Sequence, residues 1–172
     1  IIREVKPQVL ITYDDFGGYG HPDHIKAHRV ATYAVALSAS PTFALELGVA
    51  WDVPKVYWTA FPKSVIQAGI QALKEKGDAS DFAAQNPDDL PFAIDDELVT
   101  TAIDAGEFTS AKMAALAAHE TQINIEDEFF ALSNNDGTPI MGVEYYRIAK
   151  GTVAGPFNDQ GHETDLFNGI TS

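Results

Sequence analysis

Apolar and polar positions along this chain fall into two kinds of run. Val9-Leu10-Ile11, flanked by Gln8 and by Thr12 and Tyr13, has the length and β-branched content of a fully buried parallel strand over 8–13. The run breaks into Asp14-Asp15-Phe16-Gly17-Gly18, and from Pro22 onward Ile25, Val30, Tyr33, Ala34 and Leu37 suggest a helix. Pro22 suits the first turn of that helix, and Asp23 complements its dipole. A loop over 38–41 and a mixed stretch to 52 lead to a second strand over 55–59 and a helix from about 62 to 76. Residues 77–90 are polar and loop-like, and Phe92-Ala93-Ile94 and Val99 read as short strands. An alanine-rich helix is expected over 109–122 with Thr109 or Ser110 as its cap, then a further helix over 123–132 and a late strand over 144–149.

Strands alternating with helices predict an α/β fold, a Rossmann-like, largely parallel sheet flanked by helices. A parallel sheet needs both faces covered, and the strands here are few, so the sheet is expected to be incomplete without a further amino-terminal part. The opening Ile1-Ile2-Arg3-Glu4-Val5-Lys6-Pro7 agrees, because it reads as the tail of a helix stopped by proline. Residues 1–172, 45% hydrophobic, are expected to form one compact unit, the carboxy-terminal portion of a larger domain.

Charge and composition narrow the partners. Eleven basic against 25 acidic residues give a net charge of −14, which repels phosphate backbones and anionic membrane surfaces, so no nucleic-acid or membrane partner is expected. There is no cysteine, so any metal must be held by His, Asp, Glu or water. No apolar run approaches a membrane span and no leader pattern opens the chain, which points to a cytoplasmic protein.

The chemistry concentrates in Gly17-Gly18-Tyr19-Gly20-His21-Pro22-Asp23-His24, where a strand end meets a helix start. Two imidazoles, a carboxylate between them and glycines that let backbone approach a ligand are collected in one loop. Imidazole and carboxylate suit zinc, and a catalytic zinc takes three protein ligands and an exchangeable water. His21 and His24 can lie near one another without binding the same ion. The plainer alternative is that both histidines cap the helix and hydrogen-bond within the loop.

Thr12-Tyr13-Asp14 followed by GGYGHPDH at 17–24 resembles the second motif of the zinc-dependent N-acetylglucosaminyl deacetylases, a family that includes enzymes of mycothiol biosynthesis. The segments Val53–Thr59, Ala114–Gln122, Ala131–Asn135 and Glu163–Leu166 are similar to that family in the same order. The resemblance implies hydrolysis of the N-acetyl group of a small N-acetylglucosaminyl-inositol substrate, with Zn²⁺, or Fe²⁺ in its place, as cofactor. It implies that His24 is a metal ligand and that His21 is a charged imidazole that stabilises the oxyanion or protonates the leaving amine. Tyr19 would help hold the oxyanion, and Asp23 would orient His21. His119 is a candidate for substrate contact or for a buried hydrogen bond.

The family's His-Pro-Asp-Asp motif, which supplies the base and two further metal ligands, is not in this sequence. Asn86-Pro87-Asp88-Asp89 has asparagine in the histidine's place and follows the second motif instead of preceding it. The missing amino-terminal segment is therefore expected to carry that motif, and these residues alone are expected to be inactive. An alternative function is cleavage of mycothiol conjugates by the related amidase, whose loop carries proline where Gly20 stands. A third is a non-catalytic sugar-binding or interaction fragment.

Among the remaining candidates, His28 lies one turn after His24 and is expected to make secondary or solvent contacts, and His162 to lie in an exposed loop. Trp58, Tyr57 and Phe61 are candidates to stack on a sugar, although aromatics on a strand are more often core. Asp14 and Asp15 suit a turn, and Glu126-Asp127-Glu128 a solvated helix face.

Overall fold

The computed structural model describes residues 1–75, 77, 81–121 and 142–171. The expected helix over 123–132, with Glu126-Asp127-Glu128 and the segment Ala131–Asn135, lies outside the described residues. Two compact units divide the chain, one of Ile1–Ala60, Glu97–Ala102 and Tyr145–Ser172, the other of Phe61–Asp96 and Ile103–Glu144.

The first unit opens with a short helix, α1 (Ile2–Val5), which ends as expected where Lys6 turns left-handed at φ 49° ahead of Pro7. Strand β1 (Val9–Thr12) leads through a kinked helical turn, α2 (Gly17–Gly20), into α3 (Pro22–Ala39) and on to β2 (Lys55–Thr59). β1 and β2 are parallel, with Val9 opposite Lys55 and Thr12 opposite Trp58. β3 (Thr101–Asp104) and β4 (Val143–Lys150) complete a sheet in the order β1-β2-β4-β3, and β4 runs antiparallel to β2. The α/β expectation holds, with β1–α3–β2 as the crossover unit of a Rossmann-like fold joined to an antiparallel strand. Val99 lies just ahead of β3 and is buried.

One expectation fails here. β1 is not fully buried. Among the described residues it is the end strand of the sheet; the side bearing Leu10 packs on the core of Val35, Val53 and Val56, while Ile11 on the opposite side is 45% exposed. The helix expected from Pro22 onward is present as α3. It buries His28, Val35 and Ser38, whereas Val30, Tyr33 and Leu37 face outward among the described residues. Polar bonds decide this orientation. His28 is tied to the end of β1, and the buried Arg3 guanidinium clasps the other end of the helix, donating to the carbonyls of Leu37, Ser38 and Ser40 and, beyond it, of Ala44 and Gly48. A buried arginine with no carboxylate beside it among the described residues is tolerable because these five carbonyls replace its hydration.

Glu163, fully buried, closes the unit on the far side of its sequence. Its carboxylate pairs with Lys55 of β2 and accepts from the Tyr57 hydroxyl at 2.5 Å, the Thr101 hydroxyl at 3.1 Å and the Ala154 amide at 3.0 Å. Burial pushes this carboxyl up, but the bonds from Lys55, Tyr57 and Ala154 outweigh it and hold Glu163 below the ordinary carboxylate range. Burial and then the neighbouring carboxylate push the Tyr57 phenol well above its usual value.

In the second unit α4 (Lys63–Glu75) is amphipathic and buries Ile70 and Leu73, the latter against Ala83. Lys63 reaches Asp88 and Asp95, each at 2.9 Å, and its bonds to Asp95 and Asp88 raise its pKa above the usual lysine value. Phe92–Ile94 is not a strand. Ile94 makes one isolated parallel bridge to Pro62, and Phe92 meets Phe61 edge-on. Helix α5 (Thr109–Ala117) is shorter than expected and has Phe108 at its cap position, because the Thr109 hydroxyl donates back to the Gly106 carbonyl. Among the described residues no helix is long and apolar enough to cross a membrane.

Candidate active site

The chain leaves β1 at Tyr13 and is turned at once by Asp14, whose carbonyl accepts from the Gly17 amide at 3.0 Å and whose side chain accepts from the Gly18 amide at 2.9 Å. Gly17 is required at this point. Its φ is +75°, and a Cβ there would lie 2.6 Å from the Ile25 amide nitrogen, so the first turn of α3 packs directly on its backbone. Gly18, at φ +74°, and Gly20, at φ +89°, add two further positive-φ steps, and Gly20 lies against the Phe16 ring. His21 then becomes the N-cap of α3, extended at φ −69° and ψ 132°, with Pro22 in the first helical position as expected.

This turn gathers four rings. Tyr13 lies flat on His24 with centroids 4.1 Å apart and an interplanar angle of 4°. Tyr19 approaches His24 edge-on at 4.9 Å, and the His21 and His24 centroids are 5.1 Å apart. Asp23 completes the group, its carboxylate 4.0 Å from His21 Nδ1. The loop residues picked out from the sequence therefore come together. Tyr19 is 58% exposed and the Asp23 side chain 90%, so they are open to a ligand.

Hydrogen bonds distinguish the two imidazoles. His24 Nδ1 lies 3.2 Å from the Gly17 carbonyl, which can only accept, so Nδ1 carries the proton and the neutral ring keeps a lone pair on Nε2. His21 is the reverse. Its Nδ1 accepts from the Asp23 amide at 3.2 Å, so the neutral ring carries its proton on Nε2. Protonation of His21 would break that cap and turn Nδ1–H toward the Asp23 carboxylate. The plainer reading, that the histidines cap and hydrogen-bond, thus describes bonds that are present, but those bonds leave His24 a free acceptor and His21 a free donor.

His28 is buried, donating from Nδ1 to the Tyr13 carbonyl at 2.9 Å with its ring edge-on to Trp58 at 5.2 Å. Sequence reasoning gave Tyr13 no role, although an aromatic at a strand end directly before a histidine loop is the signal for one. Tyr57 is fully buried on Glu163 and offers no face to a sugar. Trp58 is half-buried between His28 and the Arg147 guanidinium, 4.8 Å from its ring. Phe61 and His119 belong to the second unit, and His119 sits in an exposed turn after α5 instead of inside a helix. Asp88 is engaged by Lys63, and Asn86 caps the short turn that follows it. His162 is half-buried, not exposed, in a turn closed by Asn158.

His24 fits as one ligand of a zinc or iron(II) site by its free Nε2. Among the described residues no three His, Asp or Glu side chains come together in a way that would hold a metal, and one imidazole is not a site.

In open α/β folds ligands bind at the carboxyl ends of parallel strands, and this glycine turn presents its imidazoles at such an end. No family model matches the chain. Three curated relatives, each named 1D-myo-inositol 2-acetamido-2-deoxy-alpha-D-glucopyranoside deacetylase, do. The protein of Nocardioides sp. is 53% identical over 99% of this chain and 57% of its own length. That of Catenulispora acidiphila, whose name ends in the numeral 1, is 53% identical over 99% of the chain and 52% of its length. For Kribbella flavida the values are 50%, 99% and 56%. The chain belongs to the family these deacetylases form, as its motifs suggest, and it spans about half the length of the curated relatives it matches.

Proposed function

We propose that the intact protein removes the acetyl group from an N-acetylglucosaminyl-inositol in mycothiol biosynthesis, and that this chain supplies the oxyanion and leaving-group side of the site. The observation that carries the reading is the opposed protonation of the two imidazoles. His21 presents Nε2–H, the group needed to hydrogen-bond a carbonyl oxygen as it becomes an oxyanion, and after taking up a second proton on Nδ1 the imidazolium can give the Nε2 proton to the departing amine. Tyr19, exposed beside it, offers a hydroxyl to the same oxygen, and Asp23 stands where it stabilises the imidazolium form of His21. Water adds to the acetyl carbon, the C–N bond breaks, and acetate and a free amine leave.

In this reading His24 is one ligand to zinc or iron(II), and the other ligands and the general base come from chain beyond these 172 residues, without which they are inactive. His119, exposed in the second unit, is retained as a substrate contact. The substrate is a small neutral sugar, the charge of −14 disfavours nucleic acid and anionic membranes, and the site of action is the cytoplasm. The geometry of Gly20 favours deacetylation over cleavage of mycothiol conjugates. Proline has φ near −65°, and this loop needs +89° there.

Side-by-side rates for the intact, zinc-supplied protein test the reading. Acetate release from N-acetylglucosaminyl-inositol at a kcat/KM well above that for a mycothiol conjugate is expected. The reverse order would establish the amidase, and no turnover of either would leave a non-catalytic sugar-binding protein.

A further inference from the structure

Tyr13 is held by α3 through two different atoms. Its carbonyl accepts from His28 Nδ1 at 2.9 Å, and its ring lies flat on His24. The two histidines are one helical turn apart, so a single tyrosine spans both. His28 is itself fixed, buried and edge-on to Trp58 of β2, whose ring the Arg147 guanidinium caps at 4.8 Å. The ends of β1 and β2 and the first turns of α3 thus share one junction, and Tyr13 is the part of it that touches His24.

The hydrogen bond from His24 to Gly17 cannot orient the imidazole alone. At 3.2 Å it lies at the long end of the range, and it leaves the ring room to tilt by small changes of its side-chain torsions. A second ring lying parallel at 4.1 Å opposes that tilt, because it drives one imidazole edge into the phenol. The Tyr13 hydroxyl makes no hydrogen bond among the described residues, so the ring and not the oxygen is the working part.

We propose that Tyr13 is a positioning residue for His24, its ring fixing the plane of the imidazole so that the bare Nε2 is held in one direction. The use made of that nitrogen rests on the metal-ligand reading of His24, but the stack itself does not.

The test compares the intact protein with Tyr13→Phe and Tyr13→Leu, using nitrogen-15 histidine labelling and zinc affinity measured by competition with a chromophoric chelator. In metal-free wild type and Tyr13→Phe, the carbon-bound protons of His24 should be displaced upfield by the stacked ring, and Nδ1 should be the protonated nitrogen. In Tyr13→Leu the displacement should vanish, both tautomers should appear, and zinc affinity should fall about tenfold or more, the usual effect of losing an outer support of a metal ligand. A folded Tyr13→Leu protein with wild-type His24 signals and zinc affinity would overturn the proposal. So would a Tyr13→Phe protein as impaired as Tyr13→Leu. If Tyr13→Leu does not fold, the wild-type spectrum decides, and absence of the upfield displacement overturns the stack. Failure of the deacetylase reading is distinguishable, since it would abolish acetate release and leave the His24 spectrum unchanged.

Discussion

The first unit contains two clusters of polar side chains that use their groups in opposite ways. At Glu163 every strong donor in reach converges on one carboxylate, which is 0% exposed, and the ammonium of Lys55 beside it is 3% exposed. At the His21–His24 loop each imidazole spends one nitrogen on the backbone and keeps the other free. The first cluster joins β2, β3 and the segment after β4 through contacts up to 108 residues apart in sequence, and has no capacity left for a ligand. The second is local, exposed and half-satisfied, as a group that must bind and release something has to be. In the first cluster the depressed Glu163 carboxyl and the raised Tyr57 phenol follow from burial and from the bonds between them, so here the electrostatic perturbation belongs to a structural fastening.

Breaking the fastening should have the largest effect. Glu163→Gln leaves Lys55 charged and unpaired in the interior, and a loss of about 3–5 kcal/mol is expected in urea unfolding. The same cluster sets a pH dependence of stability. Because the Glu163 pKa is depressed, its contribution is full above the ordinary carboxylate range and is lost as pH falls through the lower folded value. The Tyr57 pKa is raised, so its contribution holds below about pH 10 and declines above it, where the unfolded phenol ionises first. Urea midpoints measured across pH should fall at both ends, and the acid limb should be shallower in Glu163→Gln. The smallest effect is expected at the outer stripe of α3. Tyr33 is 72% exposed, and Tyr33→Ser should change the stability of these 172 residues by no more than about 0.5 kcal/mol in the same assay.

The two clusters also differ in how far sequence discloses them. The loop is legible because its causes are local. Glycines at the left-handed steps, proline at the first helical position and a histidine at the cap lie within eight residues, and the strand before them is marked by its own β-branched run. The Glu163 cluster is not, since an isolated acid far from its partner reads the same whether buried or solvated. Lys55 at the start of an apolar strand was the one available sign, because a charge there demands a partner. The buried face of α3 escaped for a related reason. His28 and Ser38 face inward through hydrogen bonds to Tyr13 and to the carbonyl of Val35, which apolar periodicity does not weigh, so the apolar positions disclose the helix but not which side of it is buried. The length of α5 and the turn that carries His119 were misjudged because alanine favours helix without specifying where it stops.

The most direct test of the loop as half of a deacetylase site is zinc content per chain, measured together with acetate release, for the intact protein and its His24→Ala variant. The account predicts that wild type holds zinc and releases acetate from N-acetylglucosaminyl-inositol, while His24→Ala, with an unchanged urea midpoint, loses metal and at least 100-fold in rate, roughly what an essential group in such a site contributes. A folded His24→Ala protein that kept both its zinc and its rate would contradict it.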